Sequence, residues 1–327
     1  MDDPLIWWRV VHFAATVQLA GVVFFAAFVA EPAFSTVGKD TRFLALIRGR
    51  LGGLAWISLT VVIVSGVAWL IVLAQQISDG TLTAVLWDGI VWIVLTKTSF
   101  GATWAARLGL AIVVGACLPI KSARPNVLQR SAAVFAAAGL IGVLGFAGHA
   151  AAGVGMTGVI HLAADIFHLV AAAAWVGALI PLALLLHAAG HSLDQSSIAI
   201  ARRATQRFST LVVASVSVLV VTGIVNTWVL AGSVSALLGT DYGRLLLAKV
   251  ALFLIMVATA AVNRLVITPR LVQEINLAAG REAIMRLRNN SVIEAAIGAI
   301  ILFIVAVLGT LPPGLHEEVA AAMFATL

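Results

Sequence analysis

Residues 161–177 read HLAADIFHLVAAAAWVG, a run apolar enough for a membrane helix that still carries two imidazoles and a carboxylate. His161, Asp165 and His168 stand at i, i+4 and i+7, so a helix presents all three on one face. Such a stripe can supply two metal ligands and an acid that orients one of them. Imidazole suits copper, zinc and iron, and a thioether favours Cu(I). His12, His149 and Met156 are the further candidate ligands, one imidazole from His12 or His149 being enough to complete a site. An imidazole inside a span also serves as a hydrogen-bonding group between helices, and that alternative stays open for each residue.

The rest of the chain must hold this stripe in place. Of 327 residues, 62% are hydrophobic and 10% charged, against about 25% charged in a soluble domain. Mean hydropathy is +1.09. This is the composition of a bundle in lipid, and the bilayer is its first partner. A single cysteine, Cys117, excludes a disulfide framework and a multi-thiolate metal site. The net charge of +6 is spread between apolar runs rather than gathered in a patch, which argues against nucleic acid. The start, MDDPLIWWRV, lacks a basic leader, so the first apolar run is expected to be retained.

Spanning a bilayer takes about 20 apolar residues. Eight runs qualify, near 5–30, 50–76, 99–119, 130–149, 157–187, 207–231, 242–263 and 292–311. They are continuous rather than alternating, which excludes a β-barrel. The segments 31–50, 120–130, 188–207 and 264–290 hold 15 of the 20 Lys and Arg, whereas the alternate connections hold only Lys97. The positive-inside rule then makes the first group cytoplasmic and turns both termini outward. His12, His149, His161, His168 and His316 fall towards the outer side, His187 and His191 towards the inner.

The sequence repeats itself. His12 precedes Gly21 by nine residues, as His168 precedes Gly177. Arg50 precedes Gly66 of an SG pair by sixteen, as Arg207 precedes Gly223 of a TG pair. TSFGATWAAR (98–107) matches TDYGRLLLAK (240–249). The expected fold is an all-α polytopic membrane protein of two parallel, pseudo-symmetric four-helix halves, residues 1–150 and 151–327, related by an axis along the membrane normal. The first half then carries an insertion of about 15 residues before Thr98, an outer excursion with interfacial Trp87 and Trp92. His12 and His168 fall at equal depth.

Other polar groups have plainer roles. Arg107 and Lys249 lie two turns into their spans, where a buried cation needs an anion or carbonyl. Glu294, one turn into the last span, is expected to pair with Arg203 or Arg207, or to relay protons. His187, His191 and His316 are expected in solvent. Glycines 66, 177, 223 and 243 are close-packing positions.

Together these stretches resemble the copper resistance protein CopD family of bacterial inner-membrane proteins. The resemblance lies in HLAADIFHLVAAAAWVG, RFS (207–209), VVTG (220–223), YGRLLLAK (242–249), NR followed by P (263–269), NSVIEAAI (290–297) and LPP (311–313). It is best over 145–313 and looser before that. It implies copper uptake at the inner membrane from a periplasmic carrier of the CopC type, which would be a separate protein, because no soluble β-segment is present. On this reading the protein is a copper-binding transport protein rather than an enzyme, with both termini periplasmic. The alternative is a haem-binding membrane redox protein with His12 and His168 as axial ligands.

Overall fold

A computed structural model describes residues 4–35, 42–78, 80–118, 125–147, 155–192, 194–231, 233–273 and 277–311. Every regular element among them is helical. Eight helices are long and apolar enough to cross a membrane: α1 (Pro4–Phe34), α2 (Arg42–Ser78), α3 (Ser99–Cys117), α4 (Val127–Phe146), α5 (Gly155–Gly190), α6 (Gln195–Leu230), α7 (Asp241–Leu271) and α8 (Ala278–Leu308). The chain is a multi-pass membrane protein. His149 and His316 lie outside the described residues, as do the extreme ends of the chain.

Two spans begin well before their apolar runs, α6 at Gln195 and α8 near Ala278. Their extensions alternate arginines with Ile198, Ile200, Ala201 and Ala204, or with Ala283, Ile284 and Leu287, all of which are buried. Arginine and alanine are good helix formers, so the helix continues where the hydrocarbon stops. The expected outer excursion is present as two short helices, Leu82–Trp87 and Ile90–Lys97, with Trp87 and Trp92 strongly exposed.

Helices α3 and α7 begin alike. Thr98 caps α3, its Oγ1 accepting from Gly101 N at 3.1 Å, and Thr240 caps α7, its Oγ1 accepting from Gly243 N at 3.0 Å. A Cβ at Gly101 would strike the Leu95 carbonyl, and one at Gly243 the Leu237 carbonyl. Only glycine fits so close to a preceding chain.

Helices α1 and α5 form the centre. Each packs on the other, and each also packs on α4 and α8. They cross at Gly21 and Gly177, where a Cβ on either residue would overlap the other helix's backbone. Proline shapes α5 at the same point. Pro181 lies inside the helix and has no N–H for the carbonyl of Gly177, four residues back. Gln18 Nε2 of α1 donates to that carbonyl at 3.0 Å instead, so the orphaned acceptor becomes a bond between α1 and α5.

Two further prolines are absorbed differently. Pro32 follows a π-turn at Phe25–Ala30, and Pro269 follows one at Asn263–Ile267. A widened turn relieves the clash of the proline ring with the carbonyl four residues back.

Arg42, Arg48, Arg50, Arg202, Arg203, Arg207 and Arg264 gather at one end of the bundle, here the basic end. His12, His161 and His168 mark the opposite, histidine end. Near the basic end Arg48 clasps Glu31, Nε to Oε1 at 2.8 Å and Nη2 to Oε2 at 3.0 Å, and both side chains are largely buried. Removing one partner of such a pair costs about 3–5 kcal/mol. Arg48→Met should therefore lower stability by about 3 kcal/mol, and Arg48→Met with Glu31→Leu should recover most of it. Thermal unfolding in detergent checks this; a single variant as stable as wild type counts against it.

Candidate functional site at the histidine end

On α1, His12 is 3% exposed, and its Nδ1 lies 3.1 Å from Ser65 Oγ of α2. On α5, His168 Nδ1 lies 2.9 Å from Thr222 Oγ1 of α6. Each hydroxyl spends its only proton on its own helix: Ser65 donates to the Val61 carbonyl at 2.6 Å, Thr222 to the Val218 carbonyl at 2.7 Å. Each must therefore accept from the imidazole. Both rings are thus held as Nδ1–H tautomers, which leaves the Nε2 lone pair as the coordinating edge. His12 Nε2 is buried without a hydrogen-bond partner among the described residues. Gly66 and Gly223, expected as packing positions, face these rings, and a Cβ on either would sit against the histidine Cε1.

The surroundings of the two imidazoles differ. Three residues before His12 stands Arg9; three before His168 stands Asp165. Arg9 and Arg107 both lie over the Trp69 ring, at 5.7 and 5.1 Å, and Arg107 is in electrostatic range of His12. Arg9 Nη1 also donates to the Gly309 carbonyl at 3.0 Å. The expected anion for Arg107 is not what the structure supplies. Its Nε and Nη2 have no hydrogen-bond partner among the described residues, and the indole face takes the charge.

Around His168 the charges offset. Asp165 Oδ1 accepts from Asn226 Nδ2 of α6 at 3.4 Å, and Lys249 of α7 lies in electrostatic range of both Asp165 and His168. Tyr242, buried on α7, also feels Asp165. Asn226 Oδ1 is buried and unpartnered among the described residues.

The structure brings Asp165 and His168 together against α6. His161, on the same helix, is 3% exposed and so lies inside the bundle. Met156 is exposed at the start of α5. His149 lies outside the described residues. Among the described residues no three of His, Cys, Asp and Glu converge as a ready metal cage. Ser65, Thr222, Asn226 and Tyr242 were not singled out from sequence, although the SG and TG repeats and the YG block contain three of them.

Glu294 also departs from expectation. It bonds neither Arg203 nor Arg207, and instead accepts from Asn263 Nδ2 at 2.8 Å. A neutral amide so placed satisfies a buried carboxyl without desolvating a guanidinium.

Eight membrane helices with an imidazole–hydroxyl contact on each of α1 and α5 at one end define a polytopic membrane protein with buried polar groups inside the bundle. The family comparisons give that class a name. The Copper resistance protein D-like, N-terminal domain matches residues 1–159, and Copper resistance protein D matches residues 202–308. The chain is 30% identical over 323 residues to Copper resistance protein D of Pseudomonas syringae pv. tomato, covering 96% of this chain and 98% of that protein. It is 32% identical over 223 residues to the inner membrane protein YebZ of Escherichia coli (strain K12), covering 68% and 72%. Copper transport protein CutJ of Bacillus subtilis (strain 168) is 26% identical over 262 residues, covering 78% and 45%. This chain belongs to the copper resistance protein D family. The likeness extends through residues 1–159 as well, while residues 160–201, with the whole stripe, lie between the two matched domains. No solved structure matches the chain.

Proposed function

We propose that the protein binds copper at its histidine end and carries it into the cell across the inner membrane, with His168 as the main imidazole donor and Asp165 as the carboxylate beside it. The observation that carries this reading is the His168–Thr222 contact. A hydroxyl already committed to the Val218 carbonyl fixes the ring so that Nε2 faces a ligand, the outer-shell arrangement that supports metal-bound imidazoles. Asn226 Oδ1 is a further oxygen donor at the same place. His161 or His149 completes the coordination. The names of the relatives, copper resistance and copper transport, support the same cargo.

The arginine-rich connections support a reading with the basic end in the cytoplasm and both termini in the periplasm. The copper donor is then a separate periplasmic carrier of the CopC type. The two sequence repeats stand as halves related by a two-fold axis along the membrane normal.

The test is equilibrium dialysis of the purified protein against copper, with metal analysis and an absorption spectrum. Bound copper in a protein without a Soret band supports the proposal; absence of bound copper ends it. A Soret band would instead favour haem between His12 and His168, a reading helped by the bare Nε2 of His12 and the guanidiniums close by. Outer-shell partners are worth about 10–100-fold in metal affinity. Thr222→Val should therefore weaken copper binding by about tenfold or more, whereas Ser65→Ala should change it little. Equal effects of the two would count against His168 as the main donor.

A further inference from the structure

At the basic end, α6, α7 and α8 enclose a cavity of about 230 Å³ that runs from Ser209 and Arg264 inward to Thr205, Ser291 and Glu294. It lies level with Arg207 and Arg264, where the bundle meets the cytoplasmic boundary in the orientation proposed above. Its outer rim is open, with Arg264 exposed, and its floor is closed, with Glu294 2% and Thr205 4% exposed. No His, Cys or Met lines it, so it lacks the soft and imidazole donors that copper prefers. Its polar lining is oxygen, amide and one guanidinium.

The floor is arranged around one carboxylate. Asn290 Nδ2 donates to Asn263 Oδ1 at 2.6 Å, and Asn263 Nδ2 donates to Glu294 Oε1 at 2.8 Å. The π-turn of α7 starts at Asn263 and turns this amide into the cavity wall. Glu294 Oε2 makes no aligned hydrogen bond among the described residues, and Thr205 Oγ1 is buried without a partner among them. From α5 the Trp175 indole lies close to the same carboxyl without an aligned bond to it. From α6 come Thr205 and Ser209, from α7 Asn263 and Arg264, from α8 Ser291. Arg264 is the charged group among these, and its Nη1 is engaged by Ser209 Oγ at 2.8 Å. A chamber of this size with buried polar oxygens in its lining meets the requirements of a water site, since buried water needs room and two to four polar partners.

We propose that this cavity is a hydrated proton-exchange chamber in which Glu294 takes a proton from water entering at the basic end and returns it there. In the forward step a hydronium ion in the chamber gives its proton to Glu294 Oε2, forming the O–H bond and leaving a neutral water; the reverse step regenerates the carboxylate. No electron moves. Asn263 holds Oε1 throughout, and Thr205 accepts from or donates to the chamber water as the proton comes and goes.

The test needs no copper. The full-length protein is reconstituted in lipid vesicles and infrared difference spectra are recorded through a pH titration, in water and in D₂O. The expected result is a carboxylic-acid C=O band that Glu294→Gln removes and that shifts promptly in D₂O. Ser209→Trp, which fills the rim, should keep the band and slow its shift several-fold. A band that persists in Glu294→Gln belongs to another carboxyl and overturns the proposal, as does the absence of any such band. Prompt exchange in Ser209→Trp overturns it too. Should Glu294→Gln not fold, Glu294→Asp serves in its place: a displaced band supports the proposal and an unmoved one overturns it.

Discussion

Gly177→Leu is expected to yield no folded protein. At the crossing of α1 and α5 the groups in contact are backbone atoms, and even a Cβ on Gly177 would overlap the carbonyl of Val17. Overpacking against side chains costs about 1–3 kcal/mol because they can turn aside; a helix backbone cannot. Parting the helices would also break the Gln18–Gly177 bond and strand a carbonyl that Pro181 has already deprived of its helical donor. The chain should then be recovered only as aggregate in gel filtration, whereas Gly53→Ala, with open space around it, should behave as wild type. A monodisperse Gly177→Leu protein with an unchanged melting temperature would show that the two helices do not meet as described.

The second large effect is on the metal. His168→Ala should reduce bound copper to background, and His12→Ala should leave most of it. Both rings present a bare Nε2, so ligand geometry alone does not separate them. Charge does. A cation at His12 would face Arg9 and Arg107, while one at His168 meets Lys249 offset by Asp165. Two unit charges 4 Å apart repel by about 4 kcal/mol at an effective dielectric of 20, enough to empty a site of micromolar strength. Asp165→Asn should fall between the two, since an amide keeps the oxygen but brings no charge. Copper content measured on monodisperse samples decides it. Equal losses in His12→Ala and His168→Ala would mean one shared site and would defeat the charge argument.

The eight spans were legible because an unbroken run of about 20 apolar residues suits little except the crossing of a bilayer. Their extensions at the basic end were not. Hydropathy falls at Arg207 or Asn290, but helical hydrogen bonding continues through Gln195–Arg207 and Ala278–Asn290 regardless of the solvent. In the site, the stripe at His161, Asp165 and His168 was visible from helical period, and so was the register that matches His12 to His168. The partners were not visible. Thr222 meets His168 from 54 residues away, and nothing in spacing along one helix says which neighbour faces it. Arg107 was expected to find an anion or a carbonyl and found an indole, and Glu294 was expected to find arginine and found an amide. Both are side-chain choices that only the packed arrangement of helices makes.

On the repeat reading proposed above, Arg9 and Asp165, each three residues before a matched histidine, break the symmetry in charge. A protein assembled from two identical chains about a two-fold axis must place the same side chain at both related positions. Arg9 could not have stood opposite Asp165 in such a dimer, because either substitution would have appeared twice. A single chain carrying both proposed repeats is free of that constraint: one repeat can gather positive charge while the other keeps a balanced pocket. Division of labour between the repeats is thus available only to the single chain, and exchanging Arg9 and Asp165 would move the preferred cation seat from one repeat to the other.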